Sequence, residues 1–334
     1  MKKLLSVLFC LTFVLAMTAC APGGGGAPGA RAGNQEASDF PRRAIEFIVP
    51  FGAGGSSDLA ARTIADVMSG QLGVPVNVVN APGGGTATGM MQAFGQPADG
   101  YTVFFLTPSV PIVEAQGLAP INFSENFVPI GTMQLDVVVL SVHKDNELFQ
   151  DLDGMIEFAK ANPGAVTIGG ISPRGLDEFI AVGFAAEAGI EITFVPYESQ
   201  AEQRAALLGR EILVYSDKIA SFTTVLGQEE IVPIVTLHHE RLTMIEGLED
   251  VPTSVEKGIN FTQGSWRALS YRVGVPQEIV DFMEAQLYEV FLSDEYQDRA
   301  TLDNTNIVYG YKNAADTAEF WAEELEGFRA VFAE

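Results

Sequence analysis

Three observations predict an α/β fold of two domains. Short β-branched runs alternate with helically spaced apolar residues between 45 and 109. The same alternation resumes after residue 151. At 334 residues, 47% of them hydrophobic and 22 of them Phe, the chain can fill two medium cores.

The first element is the run Ile45 to Phe51, which suits a buried parallel strand. It enters a glycine turn, and from Asp58 onward Ala60, Ile64, Val67 and Leu72 recur at helical spacing. Gly70 and Gly73 close that helix, and "VPVNVVN" (74–80) reads as a second strand. A second glycine loop, "APGGGTATG" (81–89), leads to a helix beginning at Met90, Met91 and Phe94. "PADG" (97–100) makes a turn, and "YTVFFLTPS" (101–109) is a third strand. This βαβαβ unit belongs to an open parallel sheet, in which ligands bind beyond the carboxyl ends of the strands, where both glycine loops fall.

Phe127 to Val142 carries two apolar runs that suit a crossing between domains. Next come a helix at 151–162, a strand at 165–170, the loop "ISPRGLDE" and a helix from about Leu176. Strands at Ile192–Tyr197 and Glu211–Tyr215 flank a helix near Glu202–Leu208, which completes a second α/β unit. "IVPIVTL" and "WRALSYRVGVP" (266–276) follow, and the remainder is helical.

The amino terminus is of another kind. Lys2 and Lys3 precede an apolar run from Leu4 to Leu15, too short for a stable span, and the pattern predicts a secretory signal over 1–19. Thr18 and Ala19 before Cys20 match a bacterial lipoprotein cleavage box, with Met17 where that box usually has Leu. Cys20 is therefore the expected lipidation site, and 20–39, rich in Gly, Ala and Pro, reads as a tether spanning roughly 25 Å. A chain cleaved there keeps no other cysteine, which excludes a disulfide framework and thiolate chemistry. The net charge of −24, with no basic cluster, repels nucleic acid and anionic lipid. It does not bar a small anion, because backbone N–H groups in a cleft act at contact distance.

A glycine turn at a helix start points unpaired N–H groups at the positive end of the helix dipole, so phosphate, pyrophosphate and carboxylate are the candidate anions. The first loop lacks the Lys-Ser/Thr pair of a triphosphate cradle, since Gly55 is followed by Ser56-Ser57-Asp58. A dinucleotide fingerprint fails too: Ser57 stands where its third glycine belongs, and the second strand ends in Asn80 rather than an acid. His143, His238 and His239 have no acid or cysteine at metal spacing, and Ser56 and Ser57 have no local histidine, so neither a metal nor a nucleophile–base signature is present. Asp58 suits a helix cap, Asp217 sits at a strand end, and Trp266 reads as a core or hinge aromatic.

Taken together, "IVPFGAGGSSDLAAR", "VNVVNAPGGGTATG" and "PADGYTVFF" resemble the signatures of the substrate-binding receptors of tripartite tricarboxylate transporters, the Bug or TctC-like proteins. The likeness continues through "ANPGAVTIG", "FVPY", "LLGREI", "VPTSVEKG" and "SWRAL", from residue 41 onward. The resemblance implies a periplasmic binding protein fold of type II character, its two α/β domains formed by 40–140 with 250–334 and by 141–249, with a ligand cleft between them. It also implies a non-enzymatic, monomeric receptor without cofactor that takes a small di- or tricarboxylate to membrane permease subunits.

The first two strand–helix loops of such receptors hold one carboxylate through backbone N–H groups and water. The expected ligand-binding residues are Phe51, Gly54, Gly55, Ser56, Ser57, Asp58, Gly84, Gly85, Thr86, Ala87 and Ser109, with Ser172, Pro173, Arg174 and Asp217 in the second domain. Arg174 is expected to meet the far end of the ligand, the alternative being a surface pair with Asp177 or Glu178. Departures from the pattern are Thr86 in place of a glycine, no histidine around Ser172, and Glu198-Ser199-Gln200 where Lys-Gly-Gly is common. A sensory role beside a membrane histidine kinase and an NAD-linked oxidoreductase are the competing readings.

Overall fold

The computed structural model describes residues 40–171 and 173–332. The expected leader, Cys20 and the tether lie outside the described residues, as does Ser172.

The chain opens with β1 (Ile45–Val49), α1 (Ser56–Leu72), β2 (Val76–Asn80), α2 (Ala87–Phe94) and β3 (Thr102–Leu106), and β1 pairs parallel with both β2 and β3. Of β1, only Glu46 reaches solvent, so this strand is covered on both faces and reads as an unbroken apolar run. Gly73 ends α1 in the left-handed region at φ 67°, its N–H on the Ser69 carbonyl. α3 (Ser109–Ala115) and α4 (Phe123–Asn126) lead to β4 (Phe127–Leu135).

The second lobe runs β5 (Val138–His143), α5 (Leu152–Ala161), β6 (Val166–Ile171), α6 (Leu176–Ala188), β7 (Ile192–Tyr197), α7 (Gln200–Leu208), β8 (Val214–Lys218), α8 (Ile219–Phe222) and β9 (Ile231–Thr236). Asp151 and Ser199 cap α5 and α7 by accepting the N–H groups of Gly154 and Glu202. The chain returns as β10 (Trp266–Arg272) and ends with α9 (Gln277–Leu292), α10 (Asp294–Leu302) and α11 (Ala314–Phe332).

The two sheets have orders β2-β1-β3-β10-β4 and β7-β6-β8-β5-β9. Each combines parallel strands with one antiparallel strand, β10 in the first and β5 in the second, contributed by a segment next to a crossing. Phe47, Met68, Met283 and Leu287 fill one core, and Val142, Ile168, Phe184 and Val214 another.

The chain crosses between sheets at Asp136–Val137, slightly before the 140 expected from sequence, and again at 264–265 rather than 250. Residues 250–263 stay with the second sheet, where Thr253 bridges to Thr236 and Val251 and Ile259 are buried. The two crossings touch: Asp136 N–H donates to the Ser265 carbonyl at 2.7 Å. The last helix belongs to both lobes. Trp321 stacks with Trp266 in the first, at 6.3 Å and 25°, while Phe328 meets Phe179 edge-on in the second, at 4.5 Å.

Candidate functional site

A cleft of about 660 Å³ lies between the lobes, within the size range of small-molecule sites. One wall is built from the carboxyl ends of β1 and β3, which contribute Phe51, Ser56, Ser57, Thr107, Pro108 and Ser109. The facing wall carries Ile171 at the end of β6 with Gly175 and Asp177 after it, Gln200 after β7, and Lys218, Ala220 and Ser221 at the end of β8. Gln134 and Asp136 from one crossing, with Ser265 and Arg267 from the other, line the cleft where the lobes join.

On the first wall, the opening turn of α1 leaves the N–H groups of Ser56 and Ser57 without intrahelical carbonyl partners, at the positive end of a 17-residue helix. Asp58 does not enter the cleft. Its buried carboxylate accepts from the Gly54 N–H at 2.8 Å, Asn80 Nδ2 at 2.9 Å and Arg62 Nε at 3.0 Å. Asn80 also donates to the Phe51 carbonyl at 3.0 Å, so the acid and the amide pin the glycine turn at both ends. The Arg62 bond, opposed by burial and helped by Gly54 and Asn80, lowers the Asp58 carboxyl to about 2. Asp58 is thus a turn anchor, and the Gly54 N–H is already engaged by it.

The second glycine loop lies outside the cleft lining. Gly83, Gly84, Gly85 and Thr86 all have positive φ, an unusual run in which three glycines avoid the strain a side chain would bring. Gly84 and Gly85 are exposed and Ala87 begins α2, while Thr86 is buried with its Oγ1 lacking a partner.

On the second wall Asp217 is 3% exposed and accepts from Tyr215 Oη at 2.6 Å, Ser221 Oγ at 2.7 Å, the Lys218 N–H at 2.8 Å and Gln200 Nε2. It lies behind Gln200 and Ser221 and orients those two lining groups, and its burial raises its pKa against these bonds. Lys218 pairs with Asp177, which also accepts the Ile171 N–H at 2.7 Å. Burial opposes the Lys218 charge, but Asp177, Asp217 and Asp136 outweigh it and raise its pKa. Asp136 is pushed up to about 6 by burial, against the pull of Arg267 and Lys218.

Pro173 and Arg174 are exposed and absent from the lining. The Arg174 backbone sits at φ 55°, its N–H on Glu178 and its carbonyl taking Gln116 Nε2 at 2.5 Å, while the guanidinium lies 6.0 Å from the Phe332 ring. Of the residues expected to bind ligand, Phe51, Ser56, Ser57 and Ser109 come together in the cleft lining, whereas Gly54, Gly55, Asp58, Gly84, Gly85, Thr86, Ala87, Pro173, Arg174 and Asp217 lie outside it. Lys218 and Arg267 also line the cleft and are not among the expected residues, although both are cationic side chains near strand ends in a chain with few of them.

The model of the tripartite tricarboxylate transporter family receptor matches residues 60–334. The chain belongs to this receptor family. Its members are solute-binding receptors of the periplasm, not an enzyme family. The receptor is similar to Protein BugT of Bordetella pertussis, 26% identical over 302 residues that cover 89% of this chain and 91% of that one. A Cupriavidus necator protein from the gbd 5' region is also 26% identical, with 89% and 88% covered.

Among solved structures, a TctC solute-binding protein from Polaromonas superposes with TM-score 0.79 at 24% identity, covering 88% of the receptor and 99% of that chain. MatC from Rhodopseudomonas palustris, solved with bound malate, gives 0.67 at 21%, covering 88% and 100%. An R. palustris protein solved with adipate gives 0.71 at 23%, covering 88% and 97%. These likenesses show a shared two-lobed fold. Among the described residues of the receptor, no helix is long and apolar enough to cross a membrane, and no cluster of His, Cys, Asp and Glu suits a metal.

Proposed function

We propose that this receptor captures a small di- or tricarboxylate in its cleft and delivers it to the membrane subunits of a tripartite transporter. The observation that carries this reading is the pairing of walls: the N-terminal turn of α1 with Ser56 and Ser57 on one side, and Lys218 with Arg267 across from it and at the junction. Carboxylate oxygens are acceptors only, so the N–H, O–H and cationic donors of this lining suit them, while the lining acid Asp177 is already taken up by Lys218. Malate and adipate in related receptors support the class without naming the ligand here.

The reading is tested by calorimetry and thermal shift of the purified protein against mono-, di- and tricarboxylates. A ligand at a hundred times its Kd should add about 2.7 kcal/mol of stability. A panel that binds nothing rejects the reading.

The protein is held at a membrane through lipid on Cys20, with 20–39 as the tether. Cys20→Ser should move it from the membrane fraction to the soluble one with ligand binding intact, and unchanged membrane association would reject the anchor.

A further inference from the structure

Resting on the reading of the cleft as a carboxylate site, we propose that Arg267 is its specificity-determining cation, receiving a second carboxylate by a direct ion pair and so selecting ligands charged at both ends. Three cations line the cleft: Lys218, Arg267 and Arg299. Two of them are already neutralised, Lys218 by Asp177 and Arg299 by Asp303, the latter at 2.8 Å. Arg267 forms no ion pair with any described residue. Its Nη1 is tied to Ser265 Oγ at 2.6 Å and the Trp266 carbonyl at 2.9 Å, which fixes the guanidinium, while its Nε is buried and without a partner. A fixed, part-buried cation with a buried and unused donor is a costly arrangement for the protein alone, and an incoming carboxylate supplies both the missing charge and the missing acceptor.

Asp136, on the neighbouring crossing, does not fill that role. Its carboxyl turns to the backbone N–H groups of Val137 and Ala220, and it acts on Arg267 only through space. Lys218 also faces this region, but its ammonium is held by Asp177. Burial lowers the Arg267 pKa against the attraction of Asp136, consistent with a charge that the protein alone leaves undercompensated. The helix end at Ser56 and Ser57 and the guanidinium at the junction lie at different places in the cleft lining, which offers two donor sites for two carboxylates. The forked donor geometry of arginine favours a planar carboxylate over a hydroxyl or amide at that end.

The experiment is calorimetry of the purified protein with succinate, glutarate and adipate, each beside its monoamide, which removes one charge at nearly constant shape. The wild type should bind at least one diacid thirtyfold or more tightly than its monoamide. Arg267→Gln should cut that diacid's affinity at least thirtyfold while changing the monoamide's by less than threefold. Arg267→Lys should recover part of the preference, and Arg174→Ala, outside the cleft, should leave it unchanged. Far-UV circular dichroism checks folding. Should Arg267→Gln not fold, Arg267→Lys decides: a drop of fivefold or more in the diacid-to-monoamide ratio supports the proposal, and an unchanged ratio overturns it. Equal binding of diacid and monoamide by the wild type, or an undiminished preference in folded Arg267→Gln, overturns the proposal but not the carboxylate reading. Failure of the wild type to bind any carboxylate overturns both.

Discussion

Replacing Gly264 with alanine places a methyl carbon 1.8 Å from the Asp136 carbonyl oxygen, where the two crossings touch. To reach an ordinary contact of about 3.4 Å, the two backbones must separate by roughly 1.6 Å. The Asp136 N–H to Ser265 carbonyl bond, 2.7 Å long, then breaks. Overpacking of this kind costs about 1 to 3 kcal/mol and the lost hydrogen bond about 0.5 to 1.5 kcal/mol, so Gly264→Ala should destabilise the protein by about 2 to 4 kcal/mol. In a chain of this size that lowers Tm by about 3 to 6 °C. Because Asp136 and Ser265 line the cleft, ligand affinity should fall as well. Urea denaturation and calorimetry read both effects. A variant with the wild-type urea midpoint and affinity would refute the argument that the crossings need a glycine for close approach.

Asp58→Asn removes the charge that holds Gly54 and Arg62. With its carboxyl lowered from 3.8 to about 2, Asp58 contributes stability that is present above pH 4 and lost as pH falls toward 2. Since Arg62 is half-exposed, the contribution is about 1 to 2 kcal/mol, and urea midpoints of wild type and variant should converge near pH 2. Glu324 behaves oppositely: burial raises it from 4.5 to about 7 against the Trp266 Nε1 bond at 3.0 Å. The wild type should therefore lose stability as pH rises from about 4.5 through 7, by up to about 3 kcal/mol, and Glu324→Gln should flatten that loss; parallel pH profiles would count against it. Phe328→Ala, emptying a fully buried site beside Phe179, should cost about 3 to 5 kcal/mol by urea denaturation, and a cost below 1 kcal/mol would mean the helix end is not docked.

Most elements were legible because their patterns are local. β7 falls on the expected 192–197, and α1 and α6 lie where apolar spacing places them. β8 lies three residues beyond the 211–215 that the sequence predicts, because its end at Ser216, Asp217 and Lys218 is polar. That polar end is what borders the cleft, so the site itself obscured the strand. Contacts distant in sequence were not legible: Asn80, 22 residues from Asp58, commits that acid to the turn. Arg174 is a rare cation in the sequence, but its left-handed backbone and its contacts with Glu178 and Gln116 set it outside the cleft. The Arg267 role depends on two segments more than a hundred residues apart meeting at Asp136 and Ser265.

A stiff rod bolted to both halves of a clamp governs how the clamp travels. α11 is such a rod, with Trp321 seated in one half and Phe328 in the other. Swinging the halves apart across it requires the rod to flex or Phe328 to leave its socket, so the aromatic seat of Phe328 against Phe179 is the contact that any such opening has to strain.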